Sequence, residues 1–246
     1  MLTREVDCTI ARRLLVNYRV NPDVVAAQLP APFRPQIVSG WAVGGVCFIA
    51  LRRLRPAGLP AALGFSSENV AHRFAVEWDD EDGRHVGVYV PRRDSGSRVI
   101  SWSGGRVFPG RHGLARFQVN DTGTDLHIEV VSGDSSVRLL VTARTAQAMT
   151  GELFSSVDQA IDFFRTAPLG FSPAQGPECF DGVRLVSERW DAEPATVSEM
   201  RSSLFDDEAR FPRGTCTLDS ALVIRNLSVR WASQGRLRPP ALVGAG

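Results

Sequence analysis

The sequence predicts a mainly β protein (α+β) in which a few short helices flank the strands. Two observations carry this prediction. Most of the chain alternates apolar and polar residues with a period of two, which is typical of half-buried strands. Clusters of Gly, Pro, Asp and Asn interrupt the alternation where turns are expected, for example at Gly123 and at Ser132-Gly133-Asp134. The predicted strands cover residues 12–20, 41–51, 68–78, 85–92, 112–119, 124–131, 136–144, 183–190 and 221–231.

Three short helices are predicted between these strands, each from its capping pattern. The first begins at Asn21-Pro22-Asp23 and ends before Pro30, and the second is capped by Ser155 or Ser156. Residues 196–199 (Thr-Val-Ser-Glu) have the form of a capping box, which predicts a third helix that runs towards Leu204.

We expect a single domain over residues 1–235 and a flexible C-terminal tail over residues 236–246. A hydrophobic content of 43% is ample for one substantial core. The sequence beyond Gly235 lacks periodicity, which is typical of a frayed terminus. Residues 169–177, which are rich in Gly and Pro, form the one candidate internal boundary, and they fit a long loop equally well.

Charge and cysteine patterns argue against several classes of protein. The formal net charge is +1, so no global field draws the chain to nucleic acid or to an anionic membrane. The sequence shows no signal peptide and no apolar run of transmembrane length. The four cysteines form no C-x-x-C pair, and the four histidines lack helical zinc spacing. We expect a cytoplasmic protein with a small-molecule partner and no metal, cofactor, nucleic acid or membrane; a homo-oligomer is left open.

Lysine is absent from the sequence, and all 28 of its strongly basic side chains are arginine. Arginine stays protonated at any working pH, whereas a lysine amine can be desolvated into a neutral nucleophile. Schiff-base formation and Walker-type phosphate binding are therefore closed to the side chains of this chain.

Strand alternation places charged and polar residues on the apolar faces of two strands. Glu68 and His72 alternate with apolar residues in one strand, and Arg12 and Tyr18 do so in another. Glu68 and His72 lie roughly 13 Å apart along their strand, too far for a direct acid–base pair. A desolvated glutamate beside an arginine is either a tuned acid–base group or a structural ion pair, and the sequence leaves both alternatives open.

Several segments, taken in order, resemble the uncharacterised YqjF-like family of the acetoacetate decarboxylase-like superfamily. The resemblance covers roughly residues 10 to 231 and is carried by the set as a whole. It implies a closed antiparallel β-barrel or cone with flanking short helices and an internal small-molecule pocket. The segments are Leu14 to Pro22, Leu29-Pro30, Gly44 to Leu54 with the following residues 55–60, residues 68–73, Gly87-Val88-Tyr89 and Trp102 to Phe108.

The resemblance also implies where a catalytic lysine would stand. In the decarboxylases a lysine that follows an aromatic-proline turn forms the Schiff base, and the matching residues here are Phe108-Pro109-Gly110-Arg111. The chain is therefore not expected to be a Schiff-base decarboxylase. The pocket glutamate of those enzymes matches Glu68, and their pocket arginine lies near Arg12, with a shift of one residue left open.

Our leading hypothesis is a cofactor-free lyase, cyclase or isomerase that acts on a carbonyl or polyketide-like metabolite. Glu68 would serve as general acid or base, while Arg12 or Arg111 would orient a carboxylate or stabilise an enolate-like oxyanion. The reaction would be an isomerisation, dehydration, cyclisation or decarboxylation. The alternatives are a non-catalytic small-molecule-binding or regulatory protein and a domain without a ligand. Further candidate pocket residues are Tyr18, His72, Tyr89, Trp102 and His112.

Overall fold

Strands make up most of the structure. A computed structural model of the chain describes residues 5–103, 110, 112–174, 179–187 and 190–237. The described strands are β1 (Glu5–Val20), β2 (Arg34–Pro35), β3 (Ile37–Val38), β4 (Trp41–Pro56), β5 (Phe65–Asp80), β6 (Gly83–Ser95), β7 (His112–Asp121), β8 (Asp125–Ser132), β9 (Arg138–Thr145), β10 (Leu169–Pro173), β11 (Phe180–Val186), β12 (Ala192–Ser202) and β13 (Cys216–Leu237). The described helices are α1 (Pro22–Ala26), α2 (Arg98–Ser103), α3 (Val157–Thr166) and a 3-10 turn at Ala61–Leu63.

These strands form one sheet that closes on itself. Hydrogen-bonded neighbours connect β1, β4, β5, β6, β10, β11 and β13 into a ring of seven described strands. Most pairings are antiparallel, whereas β6 pairs in parallel with both β7 and β10. We call this closed set the seven-strand ring. The predicted fold class, a mainly β protein with few helices, is confirmed.

The long strands allow the sheet to close twice. β13 pairs with β12 through Ala221–Ile224 and with β11 through Arg230–Leu237. β6 likewise pairs with β10 through Val88 and Tyr89 and with β7 further along the strand. A second ring therefore runs through β7, β8, β9 and β12 and shares β1, β4, β5, β6 and β13 with the first.

Both faces of β1, one of the shared strands, are buried over most of its length. On β1, Leu14 and Val16 belong to one apolar cluster, whereas Ile10 and Leu15 belong to another. The pairing of β1 with β4 is irregular between Ile10 and Arg12, so the residues that face the second cluster change from even to odd numbers. Helix α3 packs against this second cluster through Phe164.

Each of the nine predicted strands overlaps a described strand, and six of those described strands are longer than predicted. In order, the nine predicted strands correspond to β1, β4, β5, β6, β7, β8, β9, β11 and β13. The predicted strand 183–190 overlaps only at residues 183–186, and residues 188–189 lie outside the described residues. The first two predicted helices are also confirmed. The Asn21 side chain accepts hydrogen bonds from two backbone N–H groups at the start of α1, and Ser156 accepts one from Gln159 N–H at 3.1 Å in α3.

The third predicted helix is wrong, because residues 196–199 lie in strand β12. β12 pairs with β9 and with β13, so its backbone groups find partners on both sides in the sheet. These non-local hydrogen bonds outweigh the local capping pattern. Strand β10 falls in the segment that was the candidate internal boundary, and Arg236 and Leu237, predicted to be in the tail, pair with β11. Residues 238–246 lie outside the described residues.

None of the helices in the described part of the chain has the length and hydropathy needed to cross a membrane.

Candidate functional site

The interior of the seven-strand ring contains a cavity of about 110 Å³. Each of the seven strands contributes at least one lining residue, and Phe164 of α3 covers one side. The described lining residues are Ile10, Arg13, Cys47, Ile49, Ala71, Arg73, Val88, Val90, Arg93, Phe164, Ala167, Pro168, Leu169, Gly170, Val183, Leu185, Trp190 and Trp231. We call this space the ring cavity. Its wall is mostly apolar, as is usual for small-molecule sites.

Three arginines line the ring cavity. Arg13 lies on β1, Arg73 on β5 and Arg93 on β6, and none of the described lining residues is acidic. Arg13 Nε donates a hydrogen bond to Cys47 Sγ at 3.2 Å, Arg73 Nη2 donates to Asn17 Oδ1 at 2.5 Å, and Arg93 Nε donates to Ser172 Oγ at 2.9 Å. All three protein acceptors are uncharged side chains in their ordinary forms, so these bonds leave the positive charges unbalanced.

Several donors of these guanidinium groups are buried without a partner. Arg13 Nη1, Arg73 Nε and Arg73 Nη1 have no hydrogen-bond acceptor among the described protein groups. Arg73 is only 3% exposed, and its guanidinium carbon lies 4.4 Å from the centre of the Phe164 ring. No described carboxylate forms an ion pair with any of the three arginines. A buried charge without a counter-charge costs several kcal/mol, so this arrangement favours a bound anion.

Burial lowers the pKa of two of these arginines, but both keep their charge at neutral pH. It lowers the pKa of Arg73 and of Arg93 to about 10, and interaction with Cys47 opposes the decrease. Both groups therefore stay protonated at neutral pH. The ring cavity is a cationic site with apolar walls.

A smaller cavity of about 40 Å³ adjoins the ring cavity and shares Arg93 with it. Asp94 and His112 also line this smaller space. Asp94 accepts two hydrogen bonds from Arg92, at 2.8 and 2.9 Å. Burial, followed by the positive charge of Arg93, lowers the pKa of His112 to about 3, so this imidazole is neutral at pH 7.

The position that the resemblance assigns to the catalytic lysine lies beside these cavities. A Cβ built on Gly110 would lie 3.9 Å from Arg93 Nε and 2.6 Å from Ser172 Cβ. Arg111, predicted as an alternative to Arg12 for binding a carboxylate or an oxyanion, lies outside the described residues. Arg93 is thus the described cation nearest to this segment that also lines the ring cavity.

The predicted pair Arg12 and Glu68 does form, but it lines a different space. Arg12 Nη2 lies 2.5 Å from Glu68 Oε2, and Arg12 Nη1 lies 3.5 Å from Asp121 Oδ2. Asp121 in turn accepts hydrogen bonds from Arg225 at 2.9 and 3.0 Å. The four side chains line an open depression of about 800 Å³, which we call the Glu68 depression. Neither Arg12 nor Glu68 lines the ring cavity in the described structure.

Comparison with family models matches residues 8–218 to DUF2071, described as an uncharacterized conserved protein. The chain belongs to the DUF2071 family. No curated protein sequence matches the chain.

Three solved structures similar to this DUF2071 protein share its fold. The first is an acetoacetate decarboxylase-like enzyme from Sphingomonas wittichii RW1, with a TM-score of 0.56, 16% identity and coverage of 95% of this chain and 92% of that chain. The acetoacetate decarboxylase from Legionella pneumophila has a TM-score of 0.60, 10% identity and coverage of 97% and 88%. The enduracididine biosynthesis enzyme MppR complexed with pyruvate has a TM-score of 0.53, 15% identity and coverage of 95% and 89%. At these identities the similarity shows the fold alone.

The other predicted pocket residues are dispersed. Tyr18 stacks on Phe205 at a centroid distance of 4.2 Å, and burial raises its pKa. His72 lies near the aromatic ring of Phe205, and Tyr89 packs against other aromatic side chains of the same apolar cluster. Trp102 is 78% exposed. These four residues (Tyr18, His72, Tyr89 and Trp102) line neither the ring cavity nor the smaller adjoining cavity in the described structure. His112 lines the smaller one. Their roles in ligand binding stay predictions.

Sequence reasoning missed Arg13, Arg73, Arg93 and Cys47. Alternation selected Arg12 and Glu68 because their faces are apolar, yet the opposite faces of the same strands are also buried. The resemblance left open a shift of one residue at Arg12, and that alternative includes Arg13. This was the one signal that pointed to the face lining the ring cavity. In the described part of the chain, no group of three or more His, Cys, Asp or Glu side chains is placed to hold a metal ion.

Buried His72 should make the stability of the protein depend on pH. Burial, followed by the charges of Arg92 and Arg210, lowers the pKa of His72 to about 4. The unfolded chain binds this proton below about pH 6.5, so the free energy of unfolding should fall as the pH is lowered from 7 to 5. We expect His72→Leu to reduce this loss by about 2 kcal/mol in urea denaturation at the two pH values.

His127→Gln is the matched control for this experiment, because the His127 side chain is 42% exposed. It should keep the pH dependence of the unmodified protein. Equal pH dependence in His72→Leu and the unmodified protein would show that His72 is not held neutral by burial.

Proposed function

We propose that this DUF2071 protein binds a short-chain carboxylate in the ring cavity and polarises it for chemistry without a Schiff base. The observation that carries this proposal is the set of three arginines that face one cavity with no described carboxylate to balance them. A guanidinium group matches a carboxylate in shape and charge and can form two parallel hydrogen bonds with it.

The cavity volume limits the size of the ligand. A dry cavity of roughly 150 Å³ accommodates a benzene molecule. By this measure the ring cavity, at about 110 Å³, fits about four non-hydrogen atoms, and together with the adjoining cavity of about 40 Å³ it fits about six. A two- to four-carbon acid is of this size. MppR, which shares the fold, has been observed with pyruvate, a three-carbon keto acid.

The cations also suit a keto acid in its enolate form. One arginine would neutralise the carboxylate, and a second would stabilise the oxyanion that develops when a proton leaves the carbon next to the carbonyl. Apolar walls such as Ile49 and Val90 strengthen these interactions because they exclude water. We therefore propose an isomerase- or lyase-type reaction of a small keto acid; binding without turnover is the alternative.

The proposal predicts that small carboxylates stabilise the protein. Pyruvate or acetoacetate should raise the free energy of unfolding, by about 2.7 kcal/mol when present at a hundredfold its dissociation constant. Arg73→Met should weaken the binding of pyruvate at least tenfold by calorimetry, because a buried cation that contacts the carboxylate is lost. Without ligand, the variant should be as stable as the unmodified protein, because it no longer buries an unbalanced charge.

Two comparisons make this test specific. Arg201→Met removes an arginine whose side chain is 74% exposed, and it should leave pyruvate binding unchanged. Acetone, which lacks the carboxylate, should not stabilise any of the three proteins. Equal binding of pyruvate by Arg73→Met and the unmodified protein would contradict the proposal.

A second candidate function places acid–base chemistry at Glu68. The observation in its favour is that Glu68 and Arg12 together line an open depression large enough for a polyketide-like molecule. The geometry equally fits a structural role, since Arg12 is only 3% exposed and finds its counter-charges in Glu68 and Asp121.

Glu68→Gln separates the two candidates. If the depression is structural, the variant should lose about 1–3 kcal/mol of stability, because Arg12 loses its closest counter-charge, and should keep both pyruvate binding and turnover of carbonyl substrates. If Glu68 is the general acid or base, turnover should fall at least a hundredfold in steady-state assays. Unchanged turnover would remove Glu68 from the mechanism.

A further inference from the structure

We propose that Cys47 is a nucleophile of the ring cavity, positioned to form a covalent bond with a carboxylate-bearing electrophile held by the arginines. This inference rests on the function proposed above. It goes beyond that function because it assigns a reactive group and a covalent step to the same space.

The register of the sheet places Cys47 at the centre of the arginine cluster. Cys47 on β4 pairs with Leu15 on β1 and with Ala71 on β5. Arg13 is two residues from Leu15 on β1, and Arg73 is two residues from Ala71 on β5, so both share the face of Cys47. Ala71 pairs in turn with Arg93 on β6, which lies two strands from Cys47, at roughly 10 Å.

Cys47 faces the cavity and not the solvent. Its exposure is 2%, yet it belongs to the lining of the ring cavity. Among the described lining residues, it is the one that carries a thiol, hydroxyl or amine. The buried, unpartnered donors of Arg73 line the same space and indicate a negatively charged ligand there.

The surroundings of Cys47 suit a nucleophile, because cations beside the sulfur stabilise the negative charge that it carries when it attacks an electrophile. Arg13 Nε donates a hydrogen bond to Cys47 Sγ at 3.2 Å, and Arg73 and Arg93 both interact electrostatically with Cys47. Cations beside a thiol favour its negatively charged form. Burial and neighbouring aspartates raise the pKa of two other cysteines, Cys8 and Cys216, to about 12, so these two thiols stay protonated at neutral pH.

The covalent step with a 2-keto acid needs no oxidant. Cys47 Sγ adds to the carbonyl carbon, a C–S bond forms, and the π electron pair of the carbonyl moves to its oxygen. That oxygen takes the proton released by the thiol, so the product is a hemithioketal with an uncharged hydroxyl group, and its carboxylate keeps the single negative charge of the keto acid. The reverse reaction restores the thiol and the keto acid. The carboxylate stays ion-paired with the guanidinium groups throughout.

Alkylation with a matched pair of reagents tests this inference on the unmodified protein. Iodoacetate carries a carboxylate and iodoacetamide does not; in both reactions sulfur displaces iodide and the thiol proton passes to the buffer. We expect Cys47 to react faster with iodoacetate, and half-buried Cys179 to react faster with iodoacetamide. The ratio of the two rates should differ at least tenfold between these cysteines in peptide mapping by mass spectrometry.

Two further measurements connect the labelling to the cavity. Pyruvate should slow the iodoacetate reaction of Cys47 at least fivefold and leave Cys179 unaffected. Arg73→Met should abolish the preference of Cys47 for iodoacetate. Both effects follow if the carboxylate of the reagent occupies the same site as that of the ligand.

The outcomes separate this inference from the proposed function. If pyruvate binds calorimetrically but Cys47 shows no preference for iodoacetate, the nucleophile is overturned and the binding function stands. If pyruvate does not bind and Cys47 is inert to both reagents, both proposals are overturned. Because the labelling is read on the unmodified chain, neither conclusion depends on the folding of a variant.

Discussion

Closure of the seven-strand ring is the constraint on which the rest of the structure depends. β5 pairs with β6 and β11 pairs with β13, and these two pairings bring β1, β5 and β6 around one interior. Arg13, Arg73 and Arg93 are far apart in sequence, yet the ring directs all three towards the same cavity. An open sheet would let these side chains reach water. In the ring Arg73 is buried and Arg13 and Arg93 are half-buried, so the fold carries an electrostatic cost of several kcal/mol that a bound anion can offset.

Burying unbalanced positive charges destabilises the fold, and a local arrangement that destabilises the fold often marks a functional site. Elsewhere in the described structure, buried Arg12 is paired with Glu68 and Asp121, and half-buried Arg92 is paired with Asp94. The ring cavity differs because its acceptors are an amide, a hydroxyl and a thiol. The absence of lysine limits the chemistry that the cations of the ring cavity can perform. The fold is similar to that of an acetoacetate decarboxylase, and in this chain the described cations of the ring cavity are arginines, which bind anions and do not form imines.

Most of the fold could be predicted from the sequence, because most confirmed strands contain an alternating segment bounded by turn residues and each confirmed helix has a capping residue. Strand β12 could not, since its helix-like pattern at residues 196–199 is overridden by pairing with β9 and β13. The site was predicted less well. Alternation distinguishes a buried face from a solvated one, but β1 and β5 are buried on both faces, so the pattern gave no reason to prefer Arg13 over Arg12. Only the pairing register shows which face encloses the cavity.

A crystal structure with pyruvate would test the central claim most directly, because the electron density of the ligand shows which cavity it occupies. The account predicts pyruvate inside the seven-strand ring, with its carboxylate within hydrogen-bonding distance of Arg73 and of at least one of Arg13 and Arg93. Pyruvate in the Glu68 depression, with the ring cavity unoccupied by ligand, would contradict it.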